Sequence, residues 1–203
     1  IFHHSGVAAF SEYAVISQNA LVKIDADVPF DVAALFGCAV VTGVGSVVNT
    51  AKVSPGDSVA VVGLGGVGLN ALLASKASGA GKIVAVDPKE KKLRFASKFG
   101  AHKTFSTNVE NCVEEILDFT DGGVNFSFET AGVPNALDLA YKITRRGGTT
   151  VVAGMPGPES SIILSHLSIA AEERTIKGSY MGSCVPGRDI PRYINLYKNG
   201  QLP

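Results

Sequence analysis

Gly63, Gly65 and Gly68 stand in a G-x-G-x-x-G spacing, with Leu64, Gly66 and Val67 completing the stretch. An apolar, β-branched run, Val59-Ala60-Val61-Val62, leads into them, and an Ala-rich apolar stretch runs on from Val67 to Ala77. That order suits a turn that grips phosphate. Gly63 permits the tight exit from a strand, Gly65 has no Cβ and lets the backbone touch a pyrophosphate, and Gly68 lets the next helix pack close to the strand. The free N–H groups and the dipole of the helix's first turn then face the phosphates. A second β-branched run, Lys82–Val86, ends at Asp87, nineteen positions after Gly68. A carboxylate there can accept both hydroxyls of an adenosine ribose, and it repels a 2′-phosphate, so NAD is favoured over NADP. Asp87 also suits a helix N-cap, with Pro88 at N1 and Glu90 at N3, and the two roles are compatible. Lys92 is placed to reach back toward Asp87 and a ribose.

Cys38 is the other residue with chemistry of its own. In Leu35-Phe36-Gly37-Cys38-Ala39-Val40-Val41-Thr42-Gly43 a cysteine reads by itself as a small buried hydrophobe. Thr42, four residues on, shares its helical face. Asp31 is a candidate N-cap for a helix from Val32, which the glycines should bend or break. The adjacent His3 and His4 read as chance neighbours rather than a metal site.

The elements that must position these residues alternate strand and helix. Lys89–Phe99 is a charged amphipathic helix closed by Gly100. Thr104-Phe105 is a short strand, and Thr107 with Glu110 forms a capping box for a helix through Phe119. Val124–Glu129 is a strand whose end, Thr130-Ala131-Gly132, faces the ligand edge of the sheet. A helix from Pro134 ends before Gly147-Gly148, with Arg145 and Arg146 as cations at its C-terminus. Thr149–Ala153 is the next strand, 174–182 the last, and Asp189–Lys198 a closing helix. Six strands with crossover helices predict an α/β fold, a doubly wound parallel sheet in two mononucleotide-binding halves (the Rossmann arrangement). Phe10–Ile16 and Leu21–Asp25 read as short strands that feed no glycine turn. Residues 1–30 therefore read as the remnant of a β-rich upstream domain, and 31–203 as the nucleotide-binding domain.

The totals exclude several classes. The 203 residues are 46% hydrophobic and 18% charged, enough for a sizeable core and too apolar for disorder. A net charge of zero with no basic run argues against a nucleic-acid partner. No apolar run reaches the roughly 18 residues of a membrane span. Three cysteines without a C-x-x-C fit a reducing, cytoplasmic setting better than a disulfide scaffold. Ile1 is not a natural start, so an upstream segment is expected.

The sequence resembles the zinc-type alcohol dehydrogenases of the medium-chain dehydrogenase/reductase superfamily. The resemblance is carried by Phe10-Ser11-Glu12-Tyr13, by Leu35-Phe36-Gly37-Cys38 with Thr42-Gly43, and by Val53–Val61. It continues through Gly63–Gly68 and Asp87 to Phe126-Ser127-Phe128-Glu129. It implies that Cys38 is one protein ligand of a catalytic zinc and that Thr42 packs beside the nicotinamide. Gly63, Leu64, Gly65, Gly66, Val67 and Gly68 would form the pyrophosphate loop, with Asp87 the ribose acid and Lys92 its helper. Thr130, Ala153, Met155 and Met181 would line the cofactor trench. The implied activity is zinc-dependent, NAD-linked oxidation of a small alcohol. Zinc would lower the pKa of the alcohol, which gives hydride to NAD. The resemblance also implies a homodimer formed through the edge strand at 175–181.

The family's other zinc ligands, its proton-relaying Ser or Thr and its structural-zinc cysteines have no counterpart here, and Cys112 and Cys184 match no ligand. The chain therefore resembles the coenzyme half preceded by a remnant of the GroES-like catalytic domain. Alone, it is expected to bind NAD(H) without turning over an alcohol or aldehyde. The alternatives are a stand-alone dinucleotide-binding module and a zinc-free, quinone-type reductase. Cys38 in its Gly-Cys-x-x-x-Thr-Gly setting argues against both.

Overall fold

The computed structural model describes residues 9–203, so His3 and His4 lie outside the described part. Six parallel strands form one sheet: β1 Ser58–Val62, β2 Lys82–Val86, β3 Lys103–Phe105, β4 Val124–Glu129, β5 Thr144–Val152 and β6 Thr175–Gly178. Their order is β3-β2-β1-β4-β5-β6. This is the expected doubly wound sheet, and the strand order switches sides between β1 and β4, where such sheets bind ligands.

Both faces of the sheet are covered because the strands are apolar on both sides. In β1, Val59 and Val61 pack into one core with Ile83, Ala85 and Phe128. Ala60 and Val62 pack into the other with Val84 and Val86. Full burial of each such side chain contributes about 1.5–3 kcal/mol, far more than any cap, so these runs fix the sheet. The first core is closed by α2 Ala39–Gly45, α3 Gly66–Ala77, α4 Glu90–Phe99 and α8 Pro186–Lys198, the second by α5 Cys112–Phe119 and α6 Pro134–Lys142. Two short helices, α1 Phe30–Ala33 and α7 His166–Ala171, complete the set. Among the described residues no single helix is long and apolar enough to cross a membrane.

Several local expectations are corrected. Residues 9–29 contain no strand, and their one regular element is a 3₁₀ turn at Gln18–Ala20. Phe10, Tyr13 and Val15 are fully exposed, and this stretch pairs with no strand among the described residues, so nothing holds it extended as part of a sheet. The lead-in is anchored through buried Val28 and through Lys198, whose ammonium bridges Asp25 and Asp27 at 2.8 and 2.7 Å. Pro29, not Asp31, is the N-cap of α1. α4 starts at Glu90 with Lys89 as its N-cap, because the Asp87 carboxylate is drawn into the glycine turn instead.

Thr107 and Glu110 form no capping box. Residues 107–111 are turns, and α5 begins at Cys112 behind Asn111. α6 ends at Lys142, so Arg145 and Arg146 lie in β5 rather than at a helix terminus. The cause is Thr144, whose buried hydroxyl meets those of Ser127 and Thr150 at 2.7 and 2.9 Å and pulls the chain into the sheet early. β6 stops at Gly178, and Tyr180–Ser183 is a 3₁₀-like turn, not strand. The closing helix starts three residues before Asp189, with Pro186 in its first turn, where the missing N–H costs nothing.

Candidate functional site

The end of β1 turns sharply at Gly63, which has φ +95° and sits against Ala131, so a Cβ would lie 2.8 Å from the Ala131 nitrogen. At Gly68 a Cβ would fall 1.8 Å from the Gly63 carbonyl oxygen. Helix and turn therefore meet backbone to backbone, which is the close packing expected of this position. Gly65 is the N-cap of α3, and no protein atom lies within 4 Å of the point where its Cβ would sit. The first turn of α3, with Gly66, Val67 and Gly68, thus opens its N-terminus onto free space. Leu64 is buried; its side chain joins the core, while its N–H donates to Asp87 Oδ2 at 2.8 Å.

Asp87 directly follows β2 and is buried. Its Oδ1 accepts the Lys89 N–H at 2.9 Å, and its Oδ2 also accepts the Lys92 ammonium at 3.2 Å. Lys92 therefore reaches back as its spacing suggests. With the glycine turn and Thr130 these residues border a cleft of about 550 Å³.

Thr130 joins this cleft to a second one. Its hydroxyl donates to the Gly63 carbonyl at 2.6 Å, and its N–H donates to the Val62 carbonyl at 2.9 Å. The second cleft, about 530 Å³, is lined by Cys38, Thr42, Val67, Ala153, Met155 and Met181, among others. Cys38 is exposed and is the N-cap of α2, at the break after the 3₁₀ turn Ala34–Gly37; it does not lie inside one continuous helix. Its carbonyl accepts the Thr42 N–H at 3.0 Å, which starts α2. Thr42 is nearly buried, and its hydroxyl contacts Met181 Sδ at 4.0 Å. The structure thus gathers the candidate residues into two adjoining clefts at the carboxyl edge of the sheet.

Sequence reasoning passed over Glu129 as a mere strand end. It is buried, and its Oε1 accepts the N–H groups of Ala131 and Gly132 at 2.7 and 2.6 Å. Burial pushes its carboxyl upward, opposed by those backbone donors. It shapes the loop that carries Thr130. An acid closing a strand whose neighbouring position, Phe128, is apolar was its signal.

The free N–H groups at the open Gly65 turn, with a carboxylate held beside them, fit a dinucleotide: phosphates at the helix N-terminus and ribose hydroxyls at Asp87. Zinc fits less well. Among the described residues no group of three His, Cys, Asp or Glu comes together to hold a metal, and a catalytic zinc uses three protein ligands. Cys38 offers one.

These features define a nucleotide-binding α/β domain, and comparison with known proteins gives its family. A family model described as zinc-binding dehydrogenase matches residues 66–199. Alcohol dehydrogenase 1 of Trifolium repens is 34% identical over 205 residues, a match covering 100% of this chain and 54% of that protein. The crystal structure of benzyl alcohol dehydrogenase from Acinetobacter calcoaceticus superimposes with a TM-score of 0.94 at 35% identity, over 97% of this chain and 54% of that one. A zinc-binding-domain alcohol dehydrogenase protein from Burkholderia ambifaria gives a TM-score of 0.93 at 30% identity, over 98% and 54%. The chain belongs to the zinc-type alcohol dehydrogenases of the medium-chain superfamily and corresponds to their coenzyme-binding domain. It spans about half the length of the curated relatives it matches.

Proposed function

We propose that this chain is the NAD-binding part of a zinc-dependent, NAD-linked alcohol dehydrogenase acting on a small alcohol or aldehyde, and that alone it binds NAD(H) without turnover. The observation that carries the reading is the buried Asp87 carboxylate beside the open Gly65 turn. The adenosine ribose would lie against Asp87 and Lys92, the pyrophosphate against the first turn of α3, and the nicotinamide beyond Thr130 beside Thr42. Bound NAD supplies a hydride acceptor; the chain's own residues hold and orient it. Cys38, exposed at the nicotinamide side, is in this reading one ligand of the zinc, whose other ligands would have to come from outside the described residues.

The test is titration of the purified chain with NADH and NADPH, followed by the cofactor's own fluorescence, since the sequence has no Trp. Saturable binding with NADH preferred is expected. Equal affinity would remove the role of Asp87, and robust zinc-dependent alcohol oxidation by the chain alone would overturn the proposed division of labour. We further propose a homodimer through β6, which is exposed throughout and hydrogen-bonds β5 on one side only among the described residues. A monomeric mass by light scattering at high concentration would rule this out. The proposed setting is cytoplasmic.

A further inference from the structure

The turn that brings Met181 to Thr42 has an unusual backbone. Met181, Gly182 and Ser183 carry φ of 47°, 65° and 48° in succession. L side chains rarely adopt this left-handed region, and such residues persist only where their surroundings over-determine them. The surroundings here are a second rare element. After α2 the helix widens into a π turn, Ser46–Ala51, a rare form frequent at functional sites.

Two adjacent side chains of that π turn hold the left-handed segment from end to end. Thr50, buried, meets the hydroxyls of Ser179 and Ser183 at 2.8 and 2.9 Å, one on each side of the turn. The Asn49 amide nitrogen donates to the Gly182 carbonyl at 3.1 Å. The same nitrogen reaches Tyr193 Oη at 3.1 Å and Asp189 Oδ2 at 3.3 Å, tying the clamp to α8. Asp189 and Tyr193 are both fully buried. Arg188 donates to both Asp189 oxygens and holds that carboxyl down at about 2, so it stays an acceptor; burial pushes Tyr193 up to about 12, so it stays a phenol. Below, Gly45 meets Gly182 so closely that a Cβ on Gly45 would lie 2.3 Å from the Gly182 carbonyl oxygen. Above, Ser179 N–H donates to the Val152 carbonyl at 2.8 Å and fastens the turn to the end of β5.

None of these clamp residues borders the glycine-turn cleft, whereas the turn they hold supplies Ser179, Tyr180 and Met181 to the Cys38 cleft. We infer that Asn49 and Thr50 are positioning residues for the nicotinamide end of the site. They impose the left-handed turn and thereby set the wall against which the ring is held beside Thr42. The inference rests on the dinucleotide reading above and concerns one half of that ligand.

That division supplies the test. ADP-ribose occupies only the Asp87 half, and NADH spans both. The chain and its Thr50→Val, Asn49→Leu and Thr50→Ser variants are titrated with NADH by fluorescence and with ADP-ribose by calorimetry. Thr50→Val and Asn49→Leu are expected to weaken NADH about tenfold and to move ADP-ribose by less than about twofold, with Thr50→Ser close to the parent. Unchanged NADH affinity overturns the inference. So does equal weakening of both ligands, which would make the clamp a part of the fold at large. Should Thr50→Val fail to fold, Ser183→Ala, at the exposed end of the clamp, gives the same readout with an expected weakening of NADH of about threefold. Failure of the unaltered chain to bind ADP-ribose would instead overturn the dinucleotide reading itself.

Discussion

The two clefts on either side of Thr130 are built in opposite ways. The acid side of the Asp87 cleft is assembled from near neighbours in sequence: Leu64 and Asp87 are 23 positions apart, and Asp87 and Lys92 only five. The Cys38 cleft is assembled across the chain, with Thr42 and Met181 139 positions apart and Thr50 and Ser179 129. One strand–turn–helix–strand unit supplies the glycine turn and the acid of the first cleft, and the loop and helix after β4 supply its opposite wall. The second exists because α2, its π extension and the turn after β6 pack together, so it depends on contacts that close long loops at higher entropic cost. The lesson is that one ligand would be held by two halves of different robustness.

The largest expected effect attacks the local half. Gly68→Ala places a Cβ 1.8 Å from a backbone oxygen that has no flexible end to yield. NADH and ADP-ribose binding should both fall at least about a hundredfold, measured by titration. Retained ADP-ribose binding would break the claim that the turn carries the phosphates.

Next comes Asp87→Ala, which strands the buried Leu64 N–H at a cost of about 1–3 kcal/mol and removes the ribose acceptor. NADH affinity should drop about tenfold or more, and the NADH-over-NADPH preference should collapse. If the preference survived, discrimination would have to lie in the other cleft.

A smaller effect probes the assembled half through pH. The folded-state pKa of Asp189 is held at about 2, below its ordinary 3.8, chiefly by the Arg188 hydrogen bonds. A depressed carboxyl stabilises the fold above its unfolded-state value, and that contribution is lost as pH falls from about 4 toward 2. Melting followed by circular dichroism should show the transition temperature dropping across this window. Asp189→Asn should flatten the slope by only a few degrees, because Arg188 is largely exposed and solvent-screened. An identical slope in the variant would remove Asp189 from the acid transition.

The smallest expected effect is at Cys38. Cys38→Ser should change NADH affinity by less than about twofold, and elemental analysis should find less than one zinc per chain, since about three protein ligands are needed. Stoichiometric zinc that disappears in the variant would show the described residues to be more complete as a metal site than their geometry indicates.

Much of this was legible beforehand. The sheet, the glycine turn and the reach of Lys92 to Asp87 follow from patterns a few residues long, because apolar alternation and glycine placement act locally. Errors fell where a residue's partners lie outside the element that its local pattern suggests. Arg145 and Arg146 read as helix-terminal cations, yet Thr144 is captured by Ser127 and Thr150 and starts β5 early. Thr107 and Glu110 have the spacing of a capping box, yet α5 begins beyond them. Phe10–Ile16 alternates like a strand but lies exposed and pairs with no strand among the described residues. Asn49 and Thr50 gave no signal, since a polar pair at a helix end looks like any helix end.

By itself, then, the sequence determined the architecture and the glycine turn: β-branched runs bury on both faces, and Gly63 and Gly68 stand where a Cβ cannot fit. Tertiary structure alone decided that Cys38 caps a broken helix and that Glu129 folds back on its own loop. It also decided that three left-handed residues stand fixed beside Thr42. Those outcomes depend on hydrogen-bond partners more than a hundred positions away, or on the balance between burial and backbone donors, neither of which leaves a local pattern.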